Sequence, residues 1–517
     1  MDYQQVAPEE AALTGMAIAV YAAQRPSEHC LHDQHRSLTW QELNAACNQL
    51  GRHFRGIGLE PGDDVALLCS NRAEYVIAFM AAYRTGMRTT PINWHLTGEE
   101  IGYIVDNSDA RIFVADSRFA DKAAEAASHS DKLLDRLAIG GDINGFNGFE
   151  AALAQHDAAN IEDAVLGRSM LYTSGTTGRP KGVYREAQPP VLPSDDLEPG
   201  DVDLCMGPAY HAAPLLIDVL TPLISGAAVV FMDRFDPEEV LQLIERRRVT
   251  HCHMVATMFH RLLQLPEETR AQYDVSSLKA VWHGAAPCPV HVKRAMIDWF
   301  GPILNEYYAA TEGGGGFNID SHEWLRKPGS VGKPGPEFDN KILDDDGNEV
   351  AQGEVGTIYM RAPEVGRFEY YKDSGKTESS YRGDYFTLGD MGYFDEDGYL
   401  FLTGRTAELI ISGGVNIYPQ EVDSEIMKHP AVLDLCTVGV PNDEWGEEVK
   451  TVVQLREGID ASAELAEELI TFAKSRLPGF KVPRSIDFVD DLPRLPTGKI
   501  QRRLVRAPYW EGRDKQI

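Results

Sequence analysis

The feature that most constrains the fold is a regular alternation of short apolar segments with amphipathic ones near the start of the chain. Apolar runs of this kind are typical of buried strands, and the amphipathic segments have helical spacing. The strand candidates and then the helix candidates are residues 64–71, 88–94 and 110–116, and residues 38–55, 72–86 and 97–108. Strands that alternate with helices form parallel sheets covered by helices, so the chain is predicted to be α/β.

The pattern changes further along the chain. Residues 117–165 are predicted to be helical and polar, and strand–helix–strand patterns return between 203 and 265. From about 330 to 402, short strands and turns indicate a β-rich subdomain. Because 517 residues exceed what one core can bury, we predict two domains. Residues 1–404 would form a large N-terminal domain of two parallel-type α/β subdomains plus the β-rich one, and residues 405–517 a small mobile α+β C-terminal domain.

Charge and cysteine content narrow the class of protein. The chain has 49 Lys and Arg against 79 Asp and Glu, a net charge of −30, which argues against a nucleic-acid partner held through phosphate contacts. Its 7 cysteines are dispersed without paired spacing, which indicates a reducing compartment rather than a disulfide framework or a zinc site. The acidic N-terminus does not resemble a signal peptide, and no apolar run reaches the roughly 18–20 residues of an integral membrane segment. We therefore expect a cytoplasmic protein.

A glycine- and threonine-rich stretch, LYTSGTTGRPKG at 171–182, combines the hydroxyls of Ser174, Thr176 and Thr177 with a lysine and several glycines. Backbone N–H groups, hydroxyls and an ammonium are the groups that hold phosphates. The stretch is not a Walker loop, because Pro180 precedes Lys181 and Gly182 follows it. It therefore indicates a different nucleotide chemistry, and the alternative is a solvated turn between two strands.

Four further segments contain candidate functional residues. His211 follows a predicted strand in PAYHAAP, at the position where ligand crevices of α/β folds lie, although a lone histidine is more often structural. His251 and His253 alternate on a strand without metal-ligand spacing and are interpreted as packing residues. Segment 277–289 ends in the small-residue turn GAAPCP, which would let a flat ring approach the backbone. Segment 303–316 ends in a Thr-Glu pair that either binds phosphate and magnesium or begins a helix.

Six motifs, in this order, resemble those of the adenylate-forming superfamily, and within it the acyl-CoA synthetases of the AMP-dependent synthetase and ligase family. They are YTSGTTGRPKG, GAAPCP, YYAATE, YFTLGD, GRTAELIISGGVNIYPQEV and PRLPTGKIQRR. The resemblance spans about residues 10 to 508. It implies an ATP-dependent carboxylate:CoA ligase that forms an acyl-CoA through an acyl-adenylate, with ATP, Mg²⁺, CoA and a carboxylic acid of the small-molecule class as substrates and cofactors.

The resemblance also implies roles for individual residues in the adenylation step. Tyr308 would stack on adenine, Asp390 would accept the ribose hydroxyls, Arg405 would lie near ribose and phosphate, and Glu312 would bind magnesium. The catalytic residues would be Thr311 at the α-phosphate, Lys499 between the carboxylate and the α-phosphate, and His211 beside the acyl carboxylate. The remaining ATP-binding residues would be Thr173, Ser174, Gly175, Thr176, Thr177, Gly178 and Lys181 in the phosphate loop and Gly284, Ala285 and Ala286 at the adenine pocket.

For the second step, family members rotate the small domain so that a thiol can enter. The hinge would be Ala407, where the family commonly has Asp or Lys, and Glu408 follows where Asp is usual. This departure puts the polar bracing of one conformer in doubt. The CoA-binding candidates are Ser412, Gly413, Gly414, Trp445 and Lys481, with Arg484 as a further cation and packing as the alternative for Trp445.

The acyl pocket is expected to draw on parts of 209–217, 254–258, 282–286 and 309–316. Gly313 to Gly316 contribute no side chains to this wall, so the wall is expected to leave room or to flex, and an extended or bulky acyl group follows as a hypothesis. The segments PINWHLTGEEIGYIVDNS and YHAAP resemble bacterial synthetases for fatty, alicyclic or sterol-side-chain acids. These features favour a medium- or long-chain, alicyclic or steroid-side-chain acid.

Three other functions stay open at this point. The chain could be a stand-alone adenylation enzyme that loads a carrier protein, since both kinds of enzyme share every ATP residue. A scaffold that has lost activity would show damaged motifs, but Lys181, Glu312, Asp390, Arg405 and Lys499 are all present. A luciferase-like oxygenase is the third alternative. The sequence leaves the acid, its chain length and the oligomeric state open, including a homodimer.

Overall fold

The computed structural model describes residues 2–173, 179–495 and 498–511. The first part of the chain contributes the helices α1 (Pro8–Ala12), α2 (Ala17–Gln24), α3 (Trp40–Gly56), α4 (Ala73–Tyr83), α5 (Gly98–Asn107), α6 (Ala120–Ala127) and α7 (Phe149–Leu153). The strands of this part are β1 (His29–His32), β2 (Ser37–Thr39), β3 (Asp64–Leu68), β4 (Arg88–Pro91), β5 (Ala110–Asp116), β6 (Asp135–Ile139), β7 (Asn147–Gly148) and β8 (Arg168–Ser169).

The middle of the chain contains the helices α8 (Thr221–Ser225), α9 (Pro237–Arg247), α10 (Ala256–Gln264), α11 (Glu267–Arg270), α12 (Val290–Phe300) and α13 (Ser321–Arg326). Its strands are β9 (Leu171–Thr173), β10 (Lys181–Arg185), β11 (Val202–Cys205), β12 (Ala228–Phe231), β13 (His251–Met254), β14 (Ala280–His283), β15 (Leu304–Ala310), β16 (Gly313–Asp320) and β17 (Lys333–Pro334). A π-helix, Pro214–Leu220, runs directly into α8.

The β-rich segment and the C-terminal part complete the chain. The strands are β18 (Asn340–Leu343), β19 (Gly356–Arg361), β20 (Phe368–Tyr370), β21 (Tyr381–Arg382), β22 (Tyr385–Phe386), β23 (Asp390–Phe394), β24 (Leu400–Arg405), β25 (Ile410–Ser412), β26 (Val415–Ile417), β27 (Val432–Asn442), β28 (Gly446–Leu455) and β29 (Ser485–Val489). The helices are α14 (Ser374–Ser380), α15 (Pro419–Ile426), α16 (Ala463–Lys474) and α17 (Arg502–Arg506).

Two large sheets form the scaffold. The first is parallel throughout, in the order β7-β6-β5-β3-β4-β8. The second has the order β17-β16-β15-β14-β13-β11-β12-β1-β2, with parallel pairing from β15 to β1 and antiparallel strands at both edges. Helix α4 is buried along its whole length and belongs to a core that includes residues of both sheets. The predicted α/β class is therefore confirmed.

The rest of the chain forms smaller sheets. Strands β21-β22-β19-β23-β24, with β18 on β19, build the predicted β-rich subdomain, and β20-β10-β9 form a separate antiparallel sheet. The C-terminal sheet, β26-β25-β28-β27 with β29 parallel to β28, has an apolar core of its own. It matches the predicted α+β architecture. Within the described residues, no helix combines the length and apolarity that crossing a bilayer requires.

The prediction that residues 117–165 are only helical is wrong. This segment contributes β6 and β7 to the edge of the parallel sheet. Strand β6 has a short run of buried residues at its end, Leu137, Ala138 and Ile139. A strand covered on both faces need not alternate apolar with polar residues, and a run of this length carries no strand-specific signal. Pairing with β5 decides its conformation.

Candidate active site

The small-residue turn after β14 forms one wall of a cleft. Gly284 needs to be glycine, because a Cβ there would lie 2.6 Å from Cζ of Tyr307. Ala285 has a φ of 65°, in the left-handed region that residues with a Cβ rarely adopt. Ala285 and Ala286 line the cleft together with Tyr308. Strained backbone of this kind often occurs at functional sites, where the surrounding structure holds it in place.

Tyr308, Asp390 and Arg405 form a connected hydrogen-bonded group that also lines the cleft. The Tyr308 hydroxyl donates to Oδ2 of Asp390 at 2.7 Å, and Nε of Arg405 donates to Oδ1 at 2.8 Å. Asp390 begins β23, Arg405 ends β24, and the two residues are opposite each other in the antiparallel register. Burial opposes the charge on Arg405, but the carboxylates of Asp390 and Glu408 hold its pKa above the usual value.

Lys499 enters the same cleft from the C-terminal part of the chain. The cleft is lined by Lys499, Gln420 and Glu408 as well as by Tyr308, Asp390 and Arg405. Burial lowers the pKa of the Lys499 ammonium, and so does Arg405, while Asp390 and Glu408 act in the opposite direction. Residues far apart in sequence thus meet around one space that has both cations and carboxylates.

Gly498, directly before Lys499, packs closely on the N-terminal part of the chain. Gly498 has a φ of 82°, and a Cβ there would lie 2.3 Å from Oγ1 of Thr257 at the start of α10. Glycine is therefore required both by backbone conformation and by this close approach. The contact explains how the loop can hold Lys499 within the cleft.

Thr311 and Glu312 lie at the tip of the β15–β16 hairpin. Because β16 begins at Gly313, the alternative that this pair starts a helix is wrong. Nη2 of Arg185 donates to the backbone oxygens of Thr311 at 3.1 Å and Glu312 at 2.5 Å, and the Tyr370 hydroxyl donates to Oε1 of Glu312 at 2.8 Å. The hairpin tip is therefore held by two side chains that no sequence motif indicated.

The phosphate-loop candidates are only partly within the described residues. Ser174, Gly175, Thr176, Thr177 and Gly178 lie outside them. The flanking residues Thr173 and Lys181 are paired across the antiparallel strands β9 and β10. Nζ of Lys181 forms an ion pair with Oδ2 of Asp373 at 2.7 Å, and this pair lowers the pKa of the carboxyl. The ammonium of Lys181, which is predicted to face phosphate, is therefore paired with the carboxylate of Asp373.

His211 lies beside an aromatic cluster. Its ring is 4.7 Å from that of Tyr210, which meets Trp94 edge-on at 4.6 Å. Nε2 of His211 and the hydroxyl of Tyr210 are buried, and neither has a hydrogen-bond partner among the described residues. Burial lowers the pKa of His211 to about 4, so the ring is neutral near pH 7.

The other two histidines are buried within β13, as expected of packing residues, but they also make hydrogen bonds. His251 pairs with Oγ1 of Thr250 at 2.8 Å, and Nε2 of His253 pairs with the Tyr307 hydroxyl at 2.9 Å. Burial lowers the pKa of His253 to about 4. Because Tyr307 lines the cleft, its hydrogen bond with His253 helps to hold one residue of the cleft wall in position.

The prediction that Gly313 to Gly316 leave room is wrong. Positions where their side chains would lie are already close to other atoms: a Cβ on Gly314 would meet Ala309 at 2.9 Å, and one on Gly316 would meet Phe338 at 2.1 Å. Gly315 is crowded by Asn340 in the same way, and Gly313 by Phe386. These glycines allow close packing of the hairpin, so they do not by themselves indicate a large acyl pocket.

The candidates for CoA binding lie apart from the cleft, since none of the five is among its described lining residues. Ser412 ends β25, and Gly413 donates its N–H to the carbonyl of Trp445 at 2.8 Å. The Trp445 indole covers Gly413 and is 50% exposed, whereas Gly414 has a φ of 78° and open space where a Cβ would be. Lys481 forms an ion pair with Glu421 at 2.6 Å.

The residues on either side of Ala407 are bonded to different parts of the chain. Thr406 donates its N–H to the carbonyl of Gly389 at 2.9 Å, which ties it to the β-rich subdomain. Glu408 accepts from Nε of Arg502 at 3.1 Å, which ties it to the C-terminal part. Ala407 lies between these two attachments, in a short 3₁₀ turn.

Comparisons with known proteins identify related chains. The AMP-binding enzyme family matches residues 18–371, and its C-terminal domain matches residues 421–499. A feruloyl-CoA synthase of Amycolatopsis is 32% identical over 94% of this chain and 97% of its own. A 3-oxocholest-4-en-26-oate–CoA ligase of Rhodococcus rhodochrous is 31% identical over 92% of each chain. The ATP-bound structure of MatB from Rhodopseudomonas palustris superposes with a TM-score of 0.81, at 28% identity, over 96% of this chain and 99% of its own.

Proposed function

Because this chain belongs to the AMP-binding enzyme family and is an AMP-forming acyl-CoA synthetase, we propose that it activates a medium- or long-chain, alicyclic or steroid-side-chain acid. The acid would become an acyl-adenylate and then a CoA thioester. The observation that carries the assignment of the site is the cleft in which Lys499 meets Tyr308, Asp390 and Arg405. These residues come from separate parts of the chain and combine a flat aromatic face, a carboxylate and two cations.

The nucleotide is proposed to bind with its adenine between Tyr308 and the turn Gly284 to Ala286. The narrow approach at Gly284 and the strained Ala285 shape this wall for a flat ring. Asp390 would then accept the ribose hydroxyls. Both of its oxygens already accept one hydrogen bond each, and a carboxylate has capacity for more.

The phosphates would extend toward Thr311, Lys181 and the loop 174–178. Glu312 fits a magnesium ion, because Mg²⁺ in nucleotide sites is held by one or two carboxylates together with phosphate oxygens. Within the described residues, no group of three or more His, Cys, Asp or Glu side chains could hold a metal, so the nucleotide would supply further ligands. When bound, the ion would neutralise part of the phosphate charge.

In the first step, a carboxylate oxygen of the acid attacks the α-phosphorus and the bond to the bridging oxygen of pyrophosphate breaks. Two anions must meet, so the barrier depends on cations placed where charge develops. Lys499 supplies this charge between the carboxylate and the α-phosphate, and Thr311 supplies a hydroxyl. His211 is proposed to lie beside the acyl carboxylate as a neutral ring, and its Nε2 has no hydrogen-bond partner among the described residues.

In the second step, the CoA sulfur attacks the acyl carbonyl, the bond to AMP breaks, and the thiol proton passes to solvent. Residues 405–517 are proposed to rotate about Ala407 so that Lys499 leaves and the thiol enters. The glycines at 413 and 414 and the exposed Trp445 would line the path of the thiol. Lys481 and Arg484 are proposed for the CoA phosphates, for which Lys481 would exchange its partner Glu421.

The Rhodococcus rhodochrous relative acts on a steroid side-chain acid and the Amycolatopsis relative on ferulate, so relatives of similar identity differ in substrate. The aromatic cluster of Trp94, Tyr210 and His211 supports an apolar acyl group. Loading of a carrier protein is the second candidate, since it would use the same ATP residues. A cytoplasmic location and a homodimer stay predictions.

The test is a pyrophosphate-release screen of short, long, aromatic, alicyclic and steroid carboxylates, each with ATP alone and with CoA. The proposal expects release with bulky or extended acids and a CoA thioester as the final product. Activation of acetate or propionate alone would contradict the proposed acid class. Acyl-adenylate that transfers to a carrier-protein thiol but not to free CoA would favour the second candidate.

A further inference from the structure

Glu408 and Arg502 form an ion pair that connects the turn at Ala407 to the segment that carries Lys499. Nε of Arg502 donates to Oε2 of Glu408 at 3.1 Å, and both side chains are largely buried, with 13% of Arg502 and 26% of Glu408 exposed. Arg502 begins α17, three residues after Lys499. A contact that holds Arg502 in place therefore also restrains the short segment between Lys499 and α17.

The other partners of Arg502 are rigid parts of the C-terminal sheet and its helix. Nη2 donates to Oδ2 of Asp423 on α15 at 2.9 Å, and Nη1 donates to the carbonyl of Thr437 on β27. Buried guanidinium groups with several fixed acceptors are well ordered, because the planar fork matches them in one orientation. Through Arg502, Glu408 is thus attached to well-ordered parts of the C-terminal sheet and its helix. The position of Glu408 therefore fixes the C-terminal part relative to the turn at Ala407.

Glu408 also belongs to the charge group around Lys499. The charged groups that face the ammonium are Arg405 and Asp390 from the strands β24 and β23, Glu408 from the turn, and Arg502 from α17. Two are cationic and two are anionic, and the cations and burial disfavour the protonated form of Lys499. Glu408 is one of the two anions that favour the protonated form of Lys499, and its removal would leave Asp390 alone among these four groups in that role.

We propose that Glu408 is a positioning residue of the adenylation step, which holds the Lys499 loop through Arg502 and places a carboxylate in the cleft that Lys499 lines. This inference rests on the proposed function. It also accounts for alanine at position 407, because the polar bracing comes from the next residue. The thioester step, for which Lys499 leaves the cleft, does not need Glu408.

The experiment compares Glu408→Gln with Glu447→Gln in the full-length chain. Glu447 is 1% exposed and accepts from Arg506, one turn further along α17, so the control breaks a buried ion pair on the same helix outside the cleft. Glu408→Gln is expected to slow acyl-adenylate formation by about tenfold or more and thioester formation from supplied acyl-adenylate by less than about twofold. Glu447→Gln should not separate the two steps.

A second measurement does not depend on turnover. Competitive acetylation with acetic anhydride across a pH series, read by mass spectrometry of the Lys499 peptide, reports the ionisation of Lys499. In Glu408→Gln the Lys499 ammonium should lose its proton at lower pH than in the parent protein. The alkaline limb of the pH–rate profile for adenylation should also shift to lower pH. In Glu447→Gln neither should move.

Equal losses in both steps for Glu408→Gln, or an unchanged Lys499 labelling profile, would overturn the inference. Failure of the proposed function looks different, since the parent protein itself would then release no pyrophosphate with any acid. In that case the labelling profile alone still decides whether Glu408 controls the charge on Lys499.

Discussion

Lys181 and Asp373 form an ion pair with an Nζ–Oδ2 distance of 2.7 Å, although they are 192 residues apart in sequence. Asp373 also caps α14 by accepting the N–H of Lys376 at 3.0 Å. Its carboxylate would therefore compete with the ATP phosphates for Lys181. We therefore predict that Lys181 leaves Asp373 and pairs with the ATP phosphates when ATP binds.

Asp373→Asn should strengthen ATP binding by about twofold to fivefold, because an amide keeps the helix cap but competes less for the ammonium. Lys181→Ala should weaken ATP binding by about tenfold, because it removes the cation itself. Isothermal titration of ATP measures both. Weakening of similar size in the two variants would show that Asp373 supports the phosphate site instead of competing with it.

Lys499→Ala should reduce acyl-adenylate formation by at least about a hundredfold, because the cation at the reacting phosphate is lost. Conversion of supplied acyl-adenylate to thioester should change by less than about threefold. Single-turnover assays of each half-reaction test this. Lys474→Ala on the exposed end of α16 is the control, and a parallel loss of both half-reactions in Lys499→Ala would refute the role.

Ala407→Pro should impair one half-reaction more than the other, because proline restricts φ at a residue with attachments on both sides. Ala407→Gly, which keeps rotation free, is the matched control. Unchanged ratios of the two rates in the proline variant would place the pivot elsewhere.

Asp390→Ala should abolish the preference for ATP over 2′-deoxyATP, because the acceptor for the ribose hydroxyls is lost. The parent protein is expected to favour ATP by about tenfold or more in kcat/KM for pyrophosphate release. Tyr308→Phe removes only the hydroxyl that donates to Asp390 and should retain the preference. If Asp390→Ala still prefers ATP, the ribose is bound by other groups.

His253 should make the fold less stable as the pH falls. Its pKa is about 4 in the folded protein, against the ordinary 6.5 of an exposed imidazole, so the unfolded state binds more protons between these limits. Stability therefore decreases as the pH is lowered through this window, by up to about 3 kcal/mol from His253.

Urea unfolding at about pH 7 and about pH 5 measures this dependence. His253→Gln should flatten the difference between the two conditions, although it costs some stability at both because the contact with Tyr307 changes. His322→Gln on the exposed face of α13 is the control and should leave the pH dependence unchanged. If the free energy of unfolding of His253→Gln decreased just as steeply at low pH, the pH dependence would come from other groups.

Much of the site could be anticipated because its residues lie in short motifs of distinctive composition. Asp390 and Arg405 were named from YFTLGD and GRTAEL, and the register of β23 and β24 places them opposite each other. Arg185, Tyr370, Asp373 and Arg502 were not anticipated in these contacts. They act through partners that are distant in sequence, and no local pattern specifies such pairs.

The error at Gly313 to Gly316 has the same origin. Glycine in a sequence shows that a side chain is absent, but it does not show whether the space is open. Here Ala309, Phe338, Asn340 and Phe386 lie where the side chains would be. Only the packing of neighbouring segments could distinguish a pocket from a close contact.

The sequence alone determined the α/β class, the order of the subdomains and the residues proposed to carry nucleotide chemistry, because hydrophobic periodicity and short motifs are local properties of the chain. Tertiary structure decided which of these residues share a space: it brought Lys499 to Tyr308 and Asp390, paired Lys181 with Asp373, and joined Glu408 to Arg502. These relationships depend on how separate sheets pack together and on the burial of charged groups between them. That burial also sets the ionisation of Lys499 and His253, which no sequence pattern encodes locally.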